Sequence, residues 1–267
     1  MASVLALSRA ESANAKRMSR WALWAHALTV VLAFAALVLD APWVYWLAFG
    51  TLLGEGAAWW SRLQALATHS RAETARRRAL LITSFGADPG DLDTVDVTQR
   101  LTDWARRNAS KYEDGEYWSS TLPPGPTRLK ETLQESAFWS THLYRAAATR
   151  ALRVFGGLVL IVGVAALALV FADAGEVGVM AARAIVVILT ALVATDALAD
   201  SLRWSSASRA AETVDRRLVS ADLSDPGTLA AIIADYATAT EGAAPIPNRL
   251  YEKCHNRLNT AWQQRQS

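Results

Sequence analysis

The amino-acid sequence predicts an all-α membrane protein with four transmembrane helices arranged as two repeated hairpins. Three observations support this fold class. The 267 residues carry a net charge of only +2, and 52% of them are hydrophobic. The apolar residues are concentrated in four blocks, each close to the roughly 20 residues that a helix needs to cross a bilayer. A short charged stretch also occurs twice, with an offset of 139 residues.

The four apolar blocks are almost free of charge. The first and third contain no charged residue, the second contains Glu55, and the fourth contains Arg183 and Asp196. The blocks are Trp21–Leu39, Trp43–Trp60, Val154–Ala172 and Val179–Ala199. At about 1.5 Å per helical residue, each is expected to cross the hydrocarbon core. The first block is not expected to be a signal peptide, because no cleavage site precedes the second block.

The basic residues predict how the chain is oriented. Outside the blocks and their short links, the hydrophilic sequence forms the segments 1–20, 61–153 and 200–267. These segments contain 26 of the 27 Lys and Arg residues, the exception being Arg183. Since cytoplasmic loops carry the excess of Lys and Arg, both termini and the middle segment are expected in the cytoplasm. The predicted hairpins comprise residues 21–60 and 154–199.

The hydrophilic segments are predicted to be helical, since none shows the alternation typical of strands. No proline occurs from Trp43 to Phe85 or from Val179 to Ala221. The second and fourth transmembrane helices are therefore expected to extend into the cytoplasm as stalks beneath a small helical domain. The other predicted helices are an N-terminal helix in residues 1–20, Thr94–Ala109, Arg128–Arg150, Thr228–Thr240 with Asp225 as its N-cap, and Asn248–Gln264.

The repeated stretch lies on the two predicted stalks. Glu73 and Thr74 correspond to Glu212 and Thr213, and a pair of arginines follows in each copy. The sequence Asp88–Gly90 is then matched by Asp225–Gly227. A duplication of hairpin, stalk and turn explains the match, and chance similarity of Ala/Arg/Glu-rich helices is the alternative. The pairs Glu73–Arg77 and Glu212–Arg216 have the spacing of ion pairs along a helix. Either each pair forms within its own solvated stalk, or the two stalks pack together and exchange ion-pair partners.

No motif for catalysis, a cofactor or a metal is present. The sequence lacks a Walker loop, a dinucleotide-binding glycine motif, HExxH and GxSxG. The four histidines are far apart, and the single Cys254 can form no disulfide within the chain. We therefore expect a protein without enzymatic activity, cofactor or bound metal.

Polar residues inside the apolar blocks form the first candidate site. His26 and Glu55 lie at similar distances from the cytoplasmic ends of the first two spans, and Asp196 lies near the same level in the fourth. Ionisable groups are costly inside a membrane and often functional. One interpretation is a bond between His26 and Glu55 that holds the first hairpin together. The other is a polar ring that lines a pathway when several chains assemble.

The second candidate site is a group of aromatic and basic residues in the middle segment. Rings that stack on bases and cations that bind phosphates suit a nucleotide or another small anion. The alternative is that the aromatic residues form the core of the small domain or lie at the membrane interface. The candidate ligand-binding residues are Trp104, Arg106, Arg107, Lys111, Tyr117, Trp118, Arg128, Lys130 and Arg145.

In layout and in the stretches Tyr117–Arg145 and Ala244–Trp262, the chain resembles a family of bacterial conflict-system effectors. These are the four-transmembrane effectors associated with cGAS-like nucleotidyltransferases, together with related two-transmembrane families. The resemblance implies a dormant membrane protein that a nucleotide second messenger or a sensor partner activates. It also implies that the activated protein oligomerises and permeabilises the inner membrane.

Three functions are therefore compared below: an antiphage effector, an ion channel or small transporter, and a membrane scaffold or sensor that conducts nothing. The partners expected for the effector are the lipid bilayer, further copies of the chain and a cyclic nucleotide or another nucleotidyltransferase-linked signal. No nucleic-acid partner is expected.

Overall fold

The computed structural model describes residues 3–39, 42–86, 91–113, 117–171, 175–194, 196–222 and 225–266. These residues are almost entirely helical and contain no β-strand, which confirms the predicted all-α class. The described helices are α1 (Val4–Ala35), α2 (Trp43–Phe85), α3 (Asp91–Gln99), α4 (Asp103–Asn108), α5 (Pro126–Phe171), α6 (Gly175–Ala194), α7 (Ala197–Ser220), α8 (Pro226–Glu241) and α9 (Asn248–Gln266). The predicted turn at Asp88–Gly90 and the link residues Asp40 and Asp173 lie outside the described residues.

The chain forms two compact units. Unit 1 comprises Met1–Arg17, Ala65–Ala148 and Leu202–Ser267, and unit 2 comprises Met18–Gln64 and Thr149–Ser201. The ends of these ranges lie within five residues of the boundaries predicted from hydropathy at residues 20, 60, 153 and 199. Helices α1, α2, α5 and α7 each contribute to both units.

Unit 1 has a core built from one apolar stripe on each helix. Buried residues recur four positions apart, as expected of helices that bury a single face. Leu129 and Leu133 on α5 pack with Val214 and Leu218 on α7 and with Ile232 and Tyr236 on α8. Helix α9 follows the same rule, because its buried side chains are Leu250, Cys254, Leu258 and Trp262. The buried position of Cys254 agrees with a structural role for this residue.

Three hydrogen bonds join the loop after residue 116 to helices α5 and α9 of unit 1. The Trp118 indole donates to Ser136 Oγ (3.0 Å), and the Ser119 amide donates to Glu135 Oε2 (2.9 Å). The Trp262 indole donates to Ser119 Oγ (2.9 Å). The proline-rich sequence that follows is thereby joined to α5 and α9.

Two helix N-termini show why side-chain caps matter. Asp225 accepts hydrogen bonds from the amides of Gly227 and Thr228 and begins α8, as predicted. The prediction of a single helix over Thr94–Ala109 was wrong, because this segment forms two helices, α3 and α4. The chain turns at Thr102, whose amide (3.2 Å) and hydroxyl (2.6 Å) both donate to the buried Glu11 carboxylate while the hydroxyl caps α4.

The two predicted stalks differ. Helix α2 continues unbroken from Trp43 to Phe85, and α5 likewise joins the predicted cytoplasmic helix to the third apolar block. The prediction of a continuous helix from Val179 to Ala221 was wrong. There α6 ends at Ala194, α7 begins at Ala197, and Asp196 has a left-handed backbone with φ of 50°.

Two of the described helices are long and apolar enough to cross a membrane: Val4–Ala35 and Pro126–Ala168. A shorter apolar helix covers Gly178–Thr190. Little of the apolar sequence in the two long helices is buried within the protein, at 17% and 6% respectively. These values distinguish them from the core helix of a soluble protein, which would be mostly buried.

Candidate functional site

Unit 2 exposes an extended apolar surface. Tryptophan, leucine, valine and phenylalanine side chains point outward over successive turns of α1, α2, α5 and α6, and Trp24, for example, is 71% exposed. Soluble monomers seldom expose contiguous apolar patches larger than a few hundred Å². A surface of this kind marks a site of interaction with a membrane or with another protein. Two of the helices that form it are long and apolar enough to cross a membrane.

Aromatic side chains on α2 form two bands with aliphatic residues between them. Trp43, Tyr45 and Trp46 lie at one end and Trp59 and Trp60 at the other, all of them exposed. From Trp43 to Trp60 the helix rises about 25 Å, at 1.5 Å per residue. This length is close to the hydrocarbon thickness of a bilayer, about 30 Å. Tryptophan and tyrosine are enriched at both bilayer interfaces, so the spacing of the bands matches a membrane crossing.

Helix α1 packs against α2 in an antiparallel register. His26 contacts Glu55, and farther along α1 a Cβ at Gly50 would lie 3.5 Å from Leu32 Cδ1. This register places the exposed α1 residues Trp21 and Trp24 level with the second aromatic band of α2. The two helices therefore contribute aromatic side chains to the same edge of the apolar surface.

The predicted contact between His26 and Glu55 is present within unit 2. His26 Nδ1 lies 2.9 Å from Glu55 Oε1, and the Thr29 hydroxyl lies within hydrogen-bond reach of the same carboxylate and of the His26 carbonyl oxygen. The imidazole is almost buried, at 11% side-chain exposure, whereas the Glu55 side chain remains 38% exposed. The pair thus holds the hairpin together and leaves part of a carboxylate accessible at the apolar surface.

Gly54 explains how the helices approach closely enough to form this contact. A Cβ at position 54 would lie 2.3 Å from Thr29 Cγ2, and Thr29 is held between its hydrogen-bonding partners. Small residues commonly allow such close approach between membrane helices. By contrast, a Cβ at Gly56 would meet no atom within 4 Å.

Asp196, the third residue of the predicted polar layer, belongs to a different contact cluster from His26 and Glu55. Arg62 of α2 lies between two carboxylates, with Nε 3.2 Å from Asp196 Oδ2 and Nη2 2.8 Å from Asp200 Oδ1. Arg62 is seven residues beyond Glu55, which is about 10 Å along the helix. One cluster therefore contains the His26 imidazole and the Glu55 carboxylate. The other contains the Arg62 guanidinium and two carboxylates.

Several of the predicted ligand-binding residues have structural contacts in unit 1. Trp118 is buried and hydrogen-bonded to Ser136, and Tyr117 packs edge-on against it. Arg106 pairs with Asp103 (3.1 Å) and Lys111 with Asn108 (2.8 Å) on the short helices around α4. Trp104 is half-buried on α4 and Arg107 is exposed there. The core interpretation is therefore right for Trp118.

The remaining predicted ligand-binding residues lie along α5. Lys130 donates to the Val219 carbonyl oxygen (3.3 Å), Arg145 pairs with Glu212 (2.7 Å), and Arg128 is half-buried. Lys130 and Arg145 are fifteen residues apart on one helix, or about 22 Å. The prediction of one site that contains both cations is therefore corrected, since a single small ligand cannot contact them together.

Sequence reasoning missed a buried polar network in unit 1. Arg76 donates twice to Glu73 Oε2, at 3.0 and 2.7 Å, and once to the Tyr236 hydroxyl at 2.9 Å. Tyr236 also lies 2.9 Å from Ser140 Oγ, which connects α2, α8 and α5. Both Glu73 and Tyr236 are buried. The charged repeat was the available signal, but it indicated Arg77 rather than Arg76 as the partner of Glu73.

Both ion pairs predicted from the repeat were wrong. Arg77 pairs with Glu241 of α8 instead of Glu73, and Glu212 pairs with Arg145 of α5 instead of Arg216. These charged residues of α2 and α7 pair with residues of other helices, because unit 1 packs α2 and α7 among several helices. Matched residues of the two copies therefore have different environments, since Glu73 is buried and Glu212 is half-exposed.

Glu73 of this network and the neighbouring His69 have lowered pKa values. Burial lowers the pKa of His69, an effect that outweighs the nearby Glu73 carboxylate, and neither ring nitrogen has a hydrogen-bond partner among the described residues. Burial would raise the pKa of Glu73, but the neighbouring cations, Arg76 foremost, and the hydrogen bond donated by Arg76 together outweigh it and leave the pKa below its ordinary value. At neutral pH a neutral imidazole therefore lies beside the ion pair of the network.

Among the described residues, no three His, Cys, Asp or Glu side chains are grouped so that they could hold a metal ion. Comparisons with protein-family models, with curated proteins and with solved structures found no match to this chain. The sites above are therefore interpreted from their own geometry.

The first prediction concerns the contact at Gly54. Gly54→Ala should destabilise the hairpin by about 1–3 kcal/mol, the usual cost of overpacking, because Thr29 cannot move without losing its hydrogen bonds. Thermal unfolding of the detergent-solubilised protein should show a lower midpoint. Gly56→Ala is the matched control, and equal midpoints for the two variants would contradict the close approach.

The second prediction concerns the acid stability of unit 1. A histidine whose pKa is lower in the folded state takes up protons more readily when unfolded. Stability should therefore be lost as the pH falls below the ordinary histidine pKa of about 6.5. The contribution of Glu73 should be lost only at lower pH, because its pKa lies below the ordinary carboxyl value.

His69→Gln should flatten the loss of stability between pH 7 and 5, measured by denaturant unfolding at a series of pH values. The exposed His255 provides the control, since His255→Gln should leave the slope unchanged. A slope that is the same in His69→Gln as in the parent would show that His69 is not the responsible group.

Proposed function

We propose that this chain is a four-span protein of the bacterial inner membrane that acts as a membrane-permeabilising effector in a conflict system. The observation that carries the proposal is the exposed apolar surface of unit 2 with its two aromatic bands. The proposed spans are Trp21–Leu39, Trp43–Trp60, Val154–Ala172 and Val179–Ala199. The repeated-hairpin organisation is part of the same proposal.

Charged residues near the apolar surface support one orientation. Arg20 precedes Trp21, Arg62 follows Trp60, and the exposed Arg153 precedes the third span. In a four-span arrangement these residues lie at the same side of the membrane, where the positive-inside rule favours the cytoplasm. Both termini and the segment 61–153 are then cytoplasmic.

The pair of His26 and Glu55 supports a role beyond anchoring. An isolated hairpin needs no ionisable group, and inserting one is costly. Here the carboxylate retains partial exposure despite its contact with the imidazole. When several copies assemble, Glu55 can face a shared polar pathway, and this is the step at which the membrane becomes permeable.

The trigger is proposed to be a nucleotide second messenger or a sensor partner. Arg107, the half-buried Trp104 and neighbouring cations of α4 offer a smaller binding region than the one predicted from the sequence. The oligomer, the nucleotide signal and the antiphage role are drawn from the family resemblance together with this arrangement.

A constitutive channel or small transporter is the second candidate, favoured by the partly exposed Glu55. It differs from the effector in requiring no activating signal. A membrane scaffold would share the apolar surface but would conduct under no condition.

The third prediction tests the orientation. In a Cys254→Ser background, Leu39→Cys should react with a membrane-impermeant maleimide in intact cells, because it lies at the outer end of the first span. Lys111→Cys should react only after permeabilisation, because it lies in the segment proposed to be cytoplasmic. Labelling of residue 111 in intact cells would contradict the topology.

The fourth prediction separates the three functions. Purified protein in liposomes should release a trapped dye only when a member of a panel of cyclic di- and trinucleotides is added. Glu55→Gln should change the rate of release severalfold, because it removes the charge from the proposed pathway, whereas the exposed Glu113→Gln should not. Release without nucleotide would favour a channel, and no release under any condition would favour a scaffold.

A further inference from the structure

We propose that the junction between α6 and α7 is a hinge latched by Arg62, and that release of this latch accompanies activation. The link between latch release and activation rests on the proposed function, whereas the hinge itself rests on the geometry of unit 2 alone.

The helix breaks where the sequence contains no helix-breaking residue. Between Val179 and Ser220 there is neither glycine nor proline. Asp196 is nevertheless in the left-handed region, with φ of 50°, and it is the one non-glycine residue with a positive φ among the described residues. Left-handed backbone is unfavourable for residues with a side chain, although Asp and Asn tolerate it better than most. The local sequence therefore does not impose the break.

Arg62 stabilises the broken form from outside the helix. Its guanidinium contacts Asp196, at the break, and Asp200, one turn into α7. The Asp200 amide also donates to the Asp196 carbonyl oxygen (2.9 Å), which fixes the start of α7. A planar guanidinium with several donors suits this bridging role better than a lysine ammonium does.

The corresponding parts of the other helices are unbroken. Helices α1, α2, α5 and α7 each contribute to both units without a break, and the interruption lies inside unit 2, before α7 reaches unit 1 at Leu202. At the offset of the repeat, Asp196 corresponds to Ala57, where α2 is continuous. The break is therefore a feature of the second copy alone.

These observations describe an element with two accessible forms. In one form Asp196 is left-handed and Arg62 holds both carboxylates. In the other, Asp196 adopts the ordinary helical conformation and α6 and α7 become continuous, as the alanine- and leucine-rich sequence around the break favours. A change at a single residue, stabilised from a neighbouring helix, is a recognised type of hinge.

The fifth prediction tests the hinge directly. In a Cys254→Ser background, spin labels at Leu63→Cys of α2 and Leu198→Cys of α7 report their separation in the full-length detergent-solubilised protein. Both positions are exposed and both belong to unit 2. The parent should give one narrow distance distribution, and Arg62→Gln should add a second population. Arg62→Lys should have a smaller effect, because it keeps the charge but not the planar fork.

Arg153→Gln provides the matched control, since it removes an exposed arginine of the same unit. If Arg62→Gln fails to fold, as judged by its helical circular dichroism, the double variant Asp196→Ala/Asp200→Asn removes the latch from the opposite side. A distribution identical to that of the parent in the folded latch variant would overturn the hinge. A second population of equal size in Arg153→Gln would do the same.

The liposome assay separates the hinge from the proposed function. Increased nucleotide-independent dye release in Arg62→Gln would support the coupling of the latch to activation. A changed distance distribution without a change in dye release would support the hinge and overturn that coupling. Absence of dye release from the parent under every condition would overturn the proposed function and its coupling to the latch, while the distance measurement would still decide whether the hinge exists.

Discussion

The cost of placing a carboxylate in apolar surroundings is the constraint on which this structure depends. An unpaired buried charge is far more costly than a paired one. Three carboxylates are met by cationic or donor groups at different points of the fold: Glu55 by His26, Glu73 by Arg76, and Asp196 by Arg62. Two of these contacts join separate helices, and the third extends through Tyr236 to α8. The pairs therefore add to the contacts that the apolar stripes make between helices.

The sequence predicted those features that depend on local chemistry. The stripe of buried residues in α9, the cap at Asp225 and the unbroken α2 follow from periodicity, side-chain hydrogen bonding and the absence of proline. The apolar blocks could be predicted for the same reason, since a run of apolar residues is a local feature of the sequence. In each case the determining interaction lies within a few residues of the chain, so the pattern contains the necessary information.

Features that depend on distant partners could not be predicted. Glu73 and Arg77 have suitable spacing for an ion pair, but Glu241 lies on another helix and takes Arg77 instead. The division of the helix at Thr102 depends on Glu11, which is 91 residues away in the chain. The candidate ligand-binding residues show the same limitation, because composition indicates which side chains are present and not whether they meet. Trp118 was named for its chemistry, and packing places it in the core.

The difference between the two copies of the charged repeat bears on how the protein works. In the first copy the helix continues without a break, and its glutamate is buried in a network that joins three helices. In the second copy the helix is interrupted, and its glutamate forms a half-exposed ion pair. A buried network favours a single arrangement, because every alternative leaves polar groups unpaired. An exposed pair can be replaced by water at little cost. The first copy is therefore suited to holding part of unit 1 in one arrangement, whereas the break that distinguishes the second copy lies within unit 2.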